Sequence, residues 1–140
     1  MMKNKNITNY SEKFIHYYSD HIPEKIKELL ENFRFTKIAD IGCGDGALLY
    51  SLKTNNYFEK FEKIYALDVS SLRLERVKNI DEKITVIHDD ISILNNLNIL
   101  EKVDFIICNQ VIEHVSDDEK AIKNMSAFLK PGALCQENCV

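Results

Sequence analysis

Four short runs rich in apolar residues, at positions 38–41, 63–68, 83–88 and 103–108, are separated along this chain by longer polar and amphipathic stretches. Apolar runs of about four to eight residues with many β-branched side chains predict strands. The run at 103–108 is apolar at almost every position, which is typical of a strand buried on both faces of a parallel sheet. Strands that alternate with helices predict an α/β fold with a doubly wound, mostly parallel sheet.

Helices are predicted between the strands from apolar spacing, capping residues and breakers. Ser70 or Ser71 can cap one helix and Asp117 another, while Pro23 favours a first turn and the pair Pro131-Gly132 favours a stop. The inward faces of these helices are expected to include Phe33, Leu72 and Ile122. The predicted helices cover about residues 10–17, 23–33, 47–52, 71–77, 91–101 and 117–129. We expect residues 1–36 to form an N-terminal helical segment and residues 37–140 to form the α/β core.

Composition favours a globular protein and disfavours nucleic-acid-binding, membrane-spanning, secreted and zinc-binding proteins. The 140 residues include 45% hydrophobic ones and carry a formal charge of −4, which predicts one globular domain. Because no basic patch stands out, nucleic acid is not favoured as a partner. The chain shows neither a membrane-length apolar run nor a signal peptide. The four cysteines (Cys43, Cys108, Cys135 and Cys139) match no CxxC or zinc spacing, so reduced thiols in a cytoplasmic protein are expected.

The stretch at residues 38–47, Ile-Ala-Asp-Ile-Gly-Cys-Gly-Asp-Gly-Ala, predicts a buried strand, a glycine loop and the start of a helix. Glycines at alternate positions allow a ligand to approach the backbone closely. The N–H groups of a helix start can also receive a polar or anionic group. Asp40 and Asp45 are unusual in a phosphate site, and two carboxylates favour a ligand that carries positive charge.

The other unusual polar residues also stand at the carboxyl ends of predicted strands, which is where doubly wound sheets bind ligands. Asp68 follows the second strand, and an acid there can accept hydrogen bonds from both hydroxyls of a ribose. Asp90 follows the third strand, where it can accept from an adenine amino group while the Ile91 N–H meets a ring nitrogen. Asn109 follows the fourth. The pattern therefore predicts a site for a ligand that contains a nucleoside.

Six motifs follow one another between residue 38 and about residue 133. They are Asp40-x-Gly42-x-Gly44-x-Gly46, Asp68, Asp89-Asp90-Ile91, Asp104-x-Ile106-x-x-Asn109, Val111-Ile112-Glu113-His114-Val115-x-Asp117, and Leu129-Lys130-Pro131-Gly132. With these motifs in this order, the chain resembles the class I S-adenosylmethionine-dependent methyltransferases.

The resemblance implies a role for each matched position. The glycine loop would cradle the amino-acid part of S-adenosylmethionine, with Asp40 towards its ammonium group and Asp68 on its ribose. The cofactor contacts implied are Asp40, Gly42, Cys43, Gly44, Asp68, Val69, Asp90, Ile91, Asn109 and Gln110. The resemblance also implies that the N-terminal segment covers the cofactor as a lid. The acceptor is expected to be a small molecule. No catalytic residue is assigned, because a methyl group activated by a sulfonium needs mainly an aligned nucleophile.

Two other enzyme classes share part of this pattern. The loop also satisfies G-x-G-x-x-G/A with Asp68 downstream, as in NAD-dependent oxidoreductases. The RNA 2′-O-methyltransferases carry Glu-x-x-Glu-His where this chain has Gln110 before Glu113 and His114, and no histidine follows, so a metal site is not expected. Structural roles remain open for two acids: Asp45 can stabilise its turn, and Asp104 can act at the start of its strand.

The family fold that the resemblance implies has seven strands, and its last two complete the sheet. This chain reaches only a short fifth strand after Ala133, so we expect a sheet that lacks the last two strands, as in a truncated product. An uncovered edge favours dimerisation. The alternative function is a catalytically inactive fragment that binds S-adenosylmethionine.

Overall fold

The computed structural model describes residues 22–93, 102–109 and 117–138. Within these ranges the predicted alternation of strands and helices is confirmed. The helices are α1 (Glu24–Asn32), α2 (Ala47–Thr54), α3 (Ser71–Lys78) and α4 (Asp118–Phe128), with a 3₁₀ turn at Tyr57–Lys60; the strands are β1 (Lys37–Ile41), β2 (Lys63–Asp68), β3 (Ile84–His88), β4 (Val103–Asn109) and β5 (Leu129–Asn138). The helix predicted at about residues 10–17 and most of the stretch at 91–101 lie outside the described residues.

The strands form one sheet in the order β3-β2-β1-β4-β5, and all four neighbouring pairs are parallel. The chain builds outwards from β1 to β3 and then returns to the other side of β1 with β4. This reversal is the switch point of a doubly wound sheet, where a crevice opens beyond the carboxyl ends of the strands. The predicted α/β class is confirmed.

Two apolar layers cover the faces of the sheet. One contains Ile38, Ile64 and Phe105 packed with buried residues of α1, α2 and α3. The other contains Ile41 and Ile106 packed with the buried face of α4. Since neighbouring residues of β4 belong to opposite layers and are both buried, the prediction of a strand buried on both faces is confirmed.

Three residues expected on inward helix faces are exposed instead. Phe33 follows the last residue of α1 in extended backbone, so it leaves the helical face and is 52% exposed. Leu72 lies in the first turn of α3 and is exposed. Ile122 lies beside the buried stripe of α4 formed by Ala121, Met125 and Phe128. One residue corresponds to about 100° of rotation on a helix, which places Ile122 outside that stripe.

Strand β5 is longer than the sequence predicted. It begins at Leu129, before Pro131-Gly132, and its register with β4 shifts: Val103 pairs with Leu129, but Phe105 pairs with Leu134. The extra residues form an irregularity around Gly132, whose φ is +80°. A bulge accommodates proline within an edge strand, and β5 is at the edge of the described sheet.

Asp104 ties the beginning of β4 to the beginning of β1. Its carboxylate accepts hydrogen bonds from the N–H of Thr36 at 3.0 Å, from the Thr36 hydroxyl at 3.0 Å and from the N–H of Lys37 at 3.1 Å. The structural role is thereby favoured for this acid, which lies at the end of the sheet opposite the glycine loop.

We expect Asp104→Asn to lower the free energy of unfolding by about 1–2 kcal/mol, because an amide nitrogen would face at least one of these three donors. Urea titration measures the change. Glu62→Gln, a neutralised carboxylate in an exposed position, is the control. An unfolding midpoint that Asp104→Asn leaves in place would contradict this assignment.

Candidate functional site

The glycine loop joins β1 to α2 at the carboxyl edge of the sheet. Gly42, Gly44 and Gly46 have φ values of +71°, +58° and +84°. This left-handed region disfavours residues with a Cβ. The alternate glycines of the sequence are therefore required by the backbone of the loop itself.

Four N–H groups of the loop donate within the protein. Those of Gly42 and Cys43 both reach the carbonyl of Leu67, at 2.7 and 3.1 Å, and that of Gly46 reaches the Cys43 carbonyl at 3.0 Å. The N–H of Gly44 donates to Oδ2 of Asp68 at 2.9 Å. These four amides are therefore not available to an anionic group, and the loop is not a phosphate cradle of the usual kind.

Gly46 also lies directly against α3 and the turn that follows it. A Cβ built on it would stand 2.6 Å from Cδ1 of Ile80 and 3.1 Å from Cγ2 of Val77. We expect Gly46→Ala to lower the free energy of unfolding by about 2 kcal/mol, through a left-handed backbone that disfavours a side chain and through this collision. Chemical denaturation measures the change.

Gly132→Ala is the matched control, because Gly132 has a similar φ of +80° and open space around its Cβ position. It carries the backbone cost alone, so it should destabilise less than Gly46→Ala. Equal effects of the two substitutions would show that packing against α3 contributes nothing.

Asp40 is the most unusual group of the site. It is 3% exposed in the middle of the sheet, and its register partners are Ala66 on β2 and Ile107 on β4. Burial first, and then the charge of Asp68, raise the pKa of Asp40 from 3.8 to about 7. None of the described residues donates a hydrogen bond to its carboxylate. A buried carboxylate that receives no hydrogen bond from the described residues is costly, so this position favours a cationic ligand.

Asp68 joins the ends of β2 and β1. Its Oδ2 accepts from Gly44, as above, and its Oδ1 accepts from the N–H of Ser70 at 2.9 Å. A carboxylate has about four lone-pair sites, so two further donors can still be accepted. The following residue, Val69, is 66% exposed, and its carbonyl lies 2.9 Å from Nε2 of His88.

The end of β3 is joined to Asp68 as well, since the N–H of Asp89 donates to the Asp68 carbonyl at 3.2 Å. Oδ1 of Asp90 accepts from both the N–H and the hydroxyl of Ser92, at 2.8 and 2.6 Å. The side chain of Ile91 is buried, and its carbonyl accepts from Asn124 of α4 at 2.7 Å. The predicted residues from Asp40 to Ile91 thus form one continuous row along the carboxyl edge.

The remaining predicted contacts belong to the next strand. Asn109 ends β4 beside β1, where Cys108 pairs with Ile41, so its backbone lies at the same edge. Gln110 and the pair Glu113-His114 lie outside the described residues. Within the described ranges no three His, Cys, Asp or Glu side chains gather as a metal site. Burial, together with Asp40 and Asp68, raises the pKa of the Cys43 thiol, which disfavours the thiolate form.

The carboxylate of Asp45 is paired with a cation and is not free to contact a ligand. Its Oδ1 is 3.3 Å from Nη1 of Arg76 on α3, and each side chain is 23% exposed. The turn-stabilising alternative is thereby favoured over contact with a cationic ligand. Sequence reasoning missed Arg76 because 31 residues separate the partners, and no local spacing connects them.

The comparisons with known proteins agree with this arrangement. The family profile described as a methyltransferase domain matches residues 39–135. A ubiquinone biosynthesis O-methyltransferase of Coxiella burnetii is 31% identical over 99 residues, which are 68% of this chain and 39% of that protein. The chain therefore spans less than half the length of this curated relative.

Solved structures of methyltransferases also match this chain. An S-adenosylmethionine-dependent methyltransferase from Clostridium acetobutylicum superposes with a TM-score of 0.68 at 28% identity, covering 90% of this chain and 56% of that one. The N-methyltransferase NodS from Bradyrhizobium japonicum, solved with S-adenosyl-L-homocysteine, has a TM-score of 0.63 at 22% identity and covers 77% and 54%. The second match supports the fold alone.

Proposed function

Because this chain belongs to the class I S-adenosylmethionine-dependent methyltransferases, we propose that it binds S-adenosylmethionine at the carboxyl edge of its sheet and serves methyl transfer to a small-molecule acceptor. The observation that carries the proposal is Asp40. A buried carboxylate with a raised pKa, beside a second acid and without a described donor, gains most from a ligand that brings a cation and no phosphate.

The residues present fit this cofactor. Asp40 would face its ammonium group, and Asp68 has acceptor sites left for two ribose hydroxyls. Asp90 and Ile91 would contact the adenine beside Val69. Gly42, Cys43 and Gly44 would let the methionine part approach the backbone, with Asn109 and Gln110 near the methyl group. When bound, S-adenosylmethionine supplies a methyl group already activated by its sulfonium, so the protein has mainly to position the acceptor.

The same geometry argues against a dinucleotide. A pyrophosphate would need the loop amides, but those of Gly42, Cys43, Gly44 and Gly46 already donate within the protein. It would also bring negative charge towards Asp40 and Asp68, which raises the energy of both partners. The NAD-dependent alternative therefore has little support in the site.

We infer a small-molecule acceptor with an oxygen nucleophile. The curated relatives that match are O-methyltransferases, and the net charge of −4 offers no general attraction to nucleic acid. No helix in the described ranges is both long and apolar enough to cross a membrane. Dimerisation along β5, the last strand of the described sheet, remains a proposal that sedimentation of the full chain would test.

The proposed function is tested by calorimetry with S-adenosylmethionine, S-adenosylhomocysteine and NAD, followed by methyl transfer to a panel of hydroxyl, amine and thiol acceptors. Binding of both adenosyl ligands without NAD binding is expected. Transfer would establish turnover, and binding without transfer to any acceptor would favour the inactive cofactor-binding fragment. Binding of NAD in preference to S-adenosylmethionine would overturn the proposal.

A further inference from the structure

The glycine loop is held from one side by α3. Gly46 packs against Val77 and Ile80, whose side chains occupy the space where a Cβ would stand. Arg76, which precedes Val77 on α3, forms the ion pair with Asp45. Asp45 is the residue between two left-handed glycines, so it is the natural point at which a side chain can hold the loop.

We propose that Arg76 is a positioning residue for the cofactor site, which it serves by fixing Asp45 and with it the conformation of the loop. Glycine has more accessible backbone conformations than any other residue. Three of them within five positions would leave an untethered loop with many arrangements. The ion pair reduces that freedom before a ligand arrives, and preorganisation of this kind strengthens binding without a direct contact.

The ion pair also determines which acids remain for the ligand. Asp45 is neutralised by Arg76 at 3.3 Å, whereas Asp40 and Asp68 have no cationic partner among the described residues. Loss of Arg76 would leave the loop without this tether, and loss of the Asp45 carboxylate would do the same, so the two substitutions should act in the same direction. The half-buried setting makes the pair less screened than one on the open surface.

The test uses the full chain with Arg76→Gln, Asp45→Asn and the double variant. Lys78→Gln is the control, since it removes the same charge from an exposed position of the same helix. Hydrogen exchange of the ligand-free protein should become faster at residues 42–47 in Arg76→Gln, by about tenfold, and stay unchanged in the control. Exchange within β1 and β2 should stay slow. This arm does not depend on the identity of the ligand.

The second arm rests on the proposed function and measures S-adenosylhomocysteine by calorimetry. Arg76→Gln and Asp45→Asn should each weaken binding about five- to tenfold, and the double variant should be no weaker than either single one. Arg76→Lys should restore part of the loss, because it keeps the charge. Unchanged loop exchange in Arg76→Gln overturns the inference whatever binds. If Arg76→Gln exchanges faster but binds S-adenosylhomocysteine with unchanged affinity, Arg76 is a structural residue and not a positioning residue for the cofactor. If the wild-type chain does not bind S-adenosylhomocysteine, the proposed function is overturned instead.

Discussion

Replacing Asp40 with asparagine should make the ligand-free protein more stable at pH 8 and at the same time weaken its hold on S-adenosylmethionine. In the ligand-free protein the ionised carboxylate is buried, lies close to Asp68 and receives no hydrogen bond from the described residues. Asparagine has nearly the same shape and no charge, so it removes the free-energy cost of burying this charge near Asp68. The ligand's ammonium group then loses its counter-charge.

The pH dependence follows from the direction of the shift. The pKa of Asp40 rises from 3.8 to about 7 on folding. Between these values the folded protein holds a proton that the unfolded chain has released, so the free energy of unfolding falls as the pH rises. This loss in the free energy of unfolding is complete above about pH 7 and absent below about pH 4. It amounts to a few kcal/mol, since one pKa unit corresponds to about 1.4 kcal/mol.

Urea titrations of wild type and Asp40→Asn from pH 4 to pH 8 measure this. We expect the two proteins to have equal free energies of unfolding at pH 4. The variant should become more stable than wild type by an amount that grows as the pH rises. Asp89→Asn is the control, because Asp89 is also buried but accepts the N–H of Asp90; it should lose stability at pH 8. If Asp40→Asn were less stable than wild type at pH 8, the carboxylate would have a partner and the reasoning would fail.

Binding gives the complementary result. A bound cation favours the ionised carboxylate, so binding to wild type should release a proton and tighten as the pH rises from 6 to 7.5. Asp40→Asn should bind less tightly and without that dependence. An acid that destabilises the empty protein and stabilises the complex is typical of a functional position rather than a structural one.

The order of elements and the row of acids could be predicted from the sequence because both depend on local patterns. Strand runs, the Ser70 and Asp117 caps and the alternate glycines each lie within a few residues of their effect, and both caps are present as side-chain acceptors. Asp40 and Asp68 could be placed at one edge because parallel strands share a direction.

Contacts distant in sequence could not be predicted in this way. The Leu67 carbonyl accepts hydrogen bonds from two loop amides, and Arg76 forms an ion pair with Asp45. Both contacts depend on how β2 and α3 pack against the loop. The extent of β5 was underestimated for a related reason, since its pairing with β4 outweighs the poor strand propensity around Gly132. Tertiary contacts decide these cases.

Asp68→Ala should weaken binding of S-adenosylhomocysteine by about a hundredfold, because two hydrogen bonds from ribose hydroxyls to a charged acceptor are each worth about 1.5 kcal/mol or more. Calorimetry measures this loss. The structure adds a complication, however. The same carboxylate also accepts the N–H groups of Gly44 and Ser70, so a weaker complex could arise from a displaced loop as well as from a missing ribose contact.

A second change, made in the ligand, separates these two causes. S-adenosylhomocysteine without its 2′- and 3′-hydroxyls should bind wild type far more weakly, whereas Asp68→Ala should hardly distinguish the two ligands. The coupling between the deletions then measures the contact itself. If Asp68→Ala lost the same factor for both ligands, the carboxylate would act only through Gly44 and Ser70. The ribose would then need another acceptor, and a single carboxylate could no longer be assigned to both the loop and the cofactor.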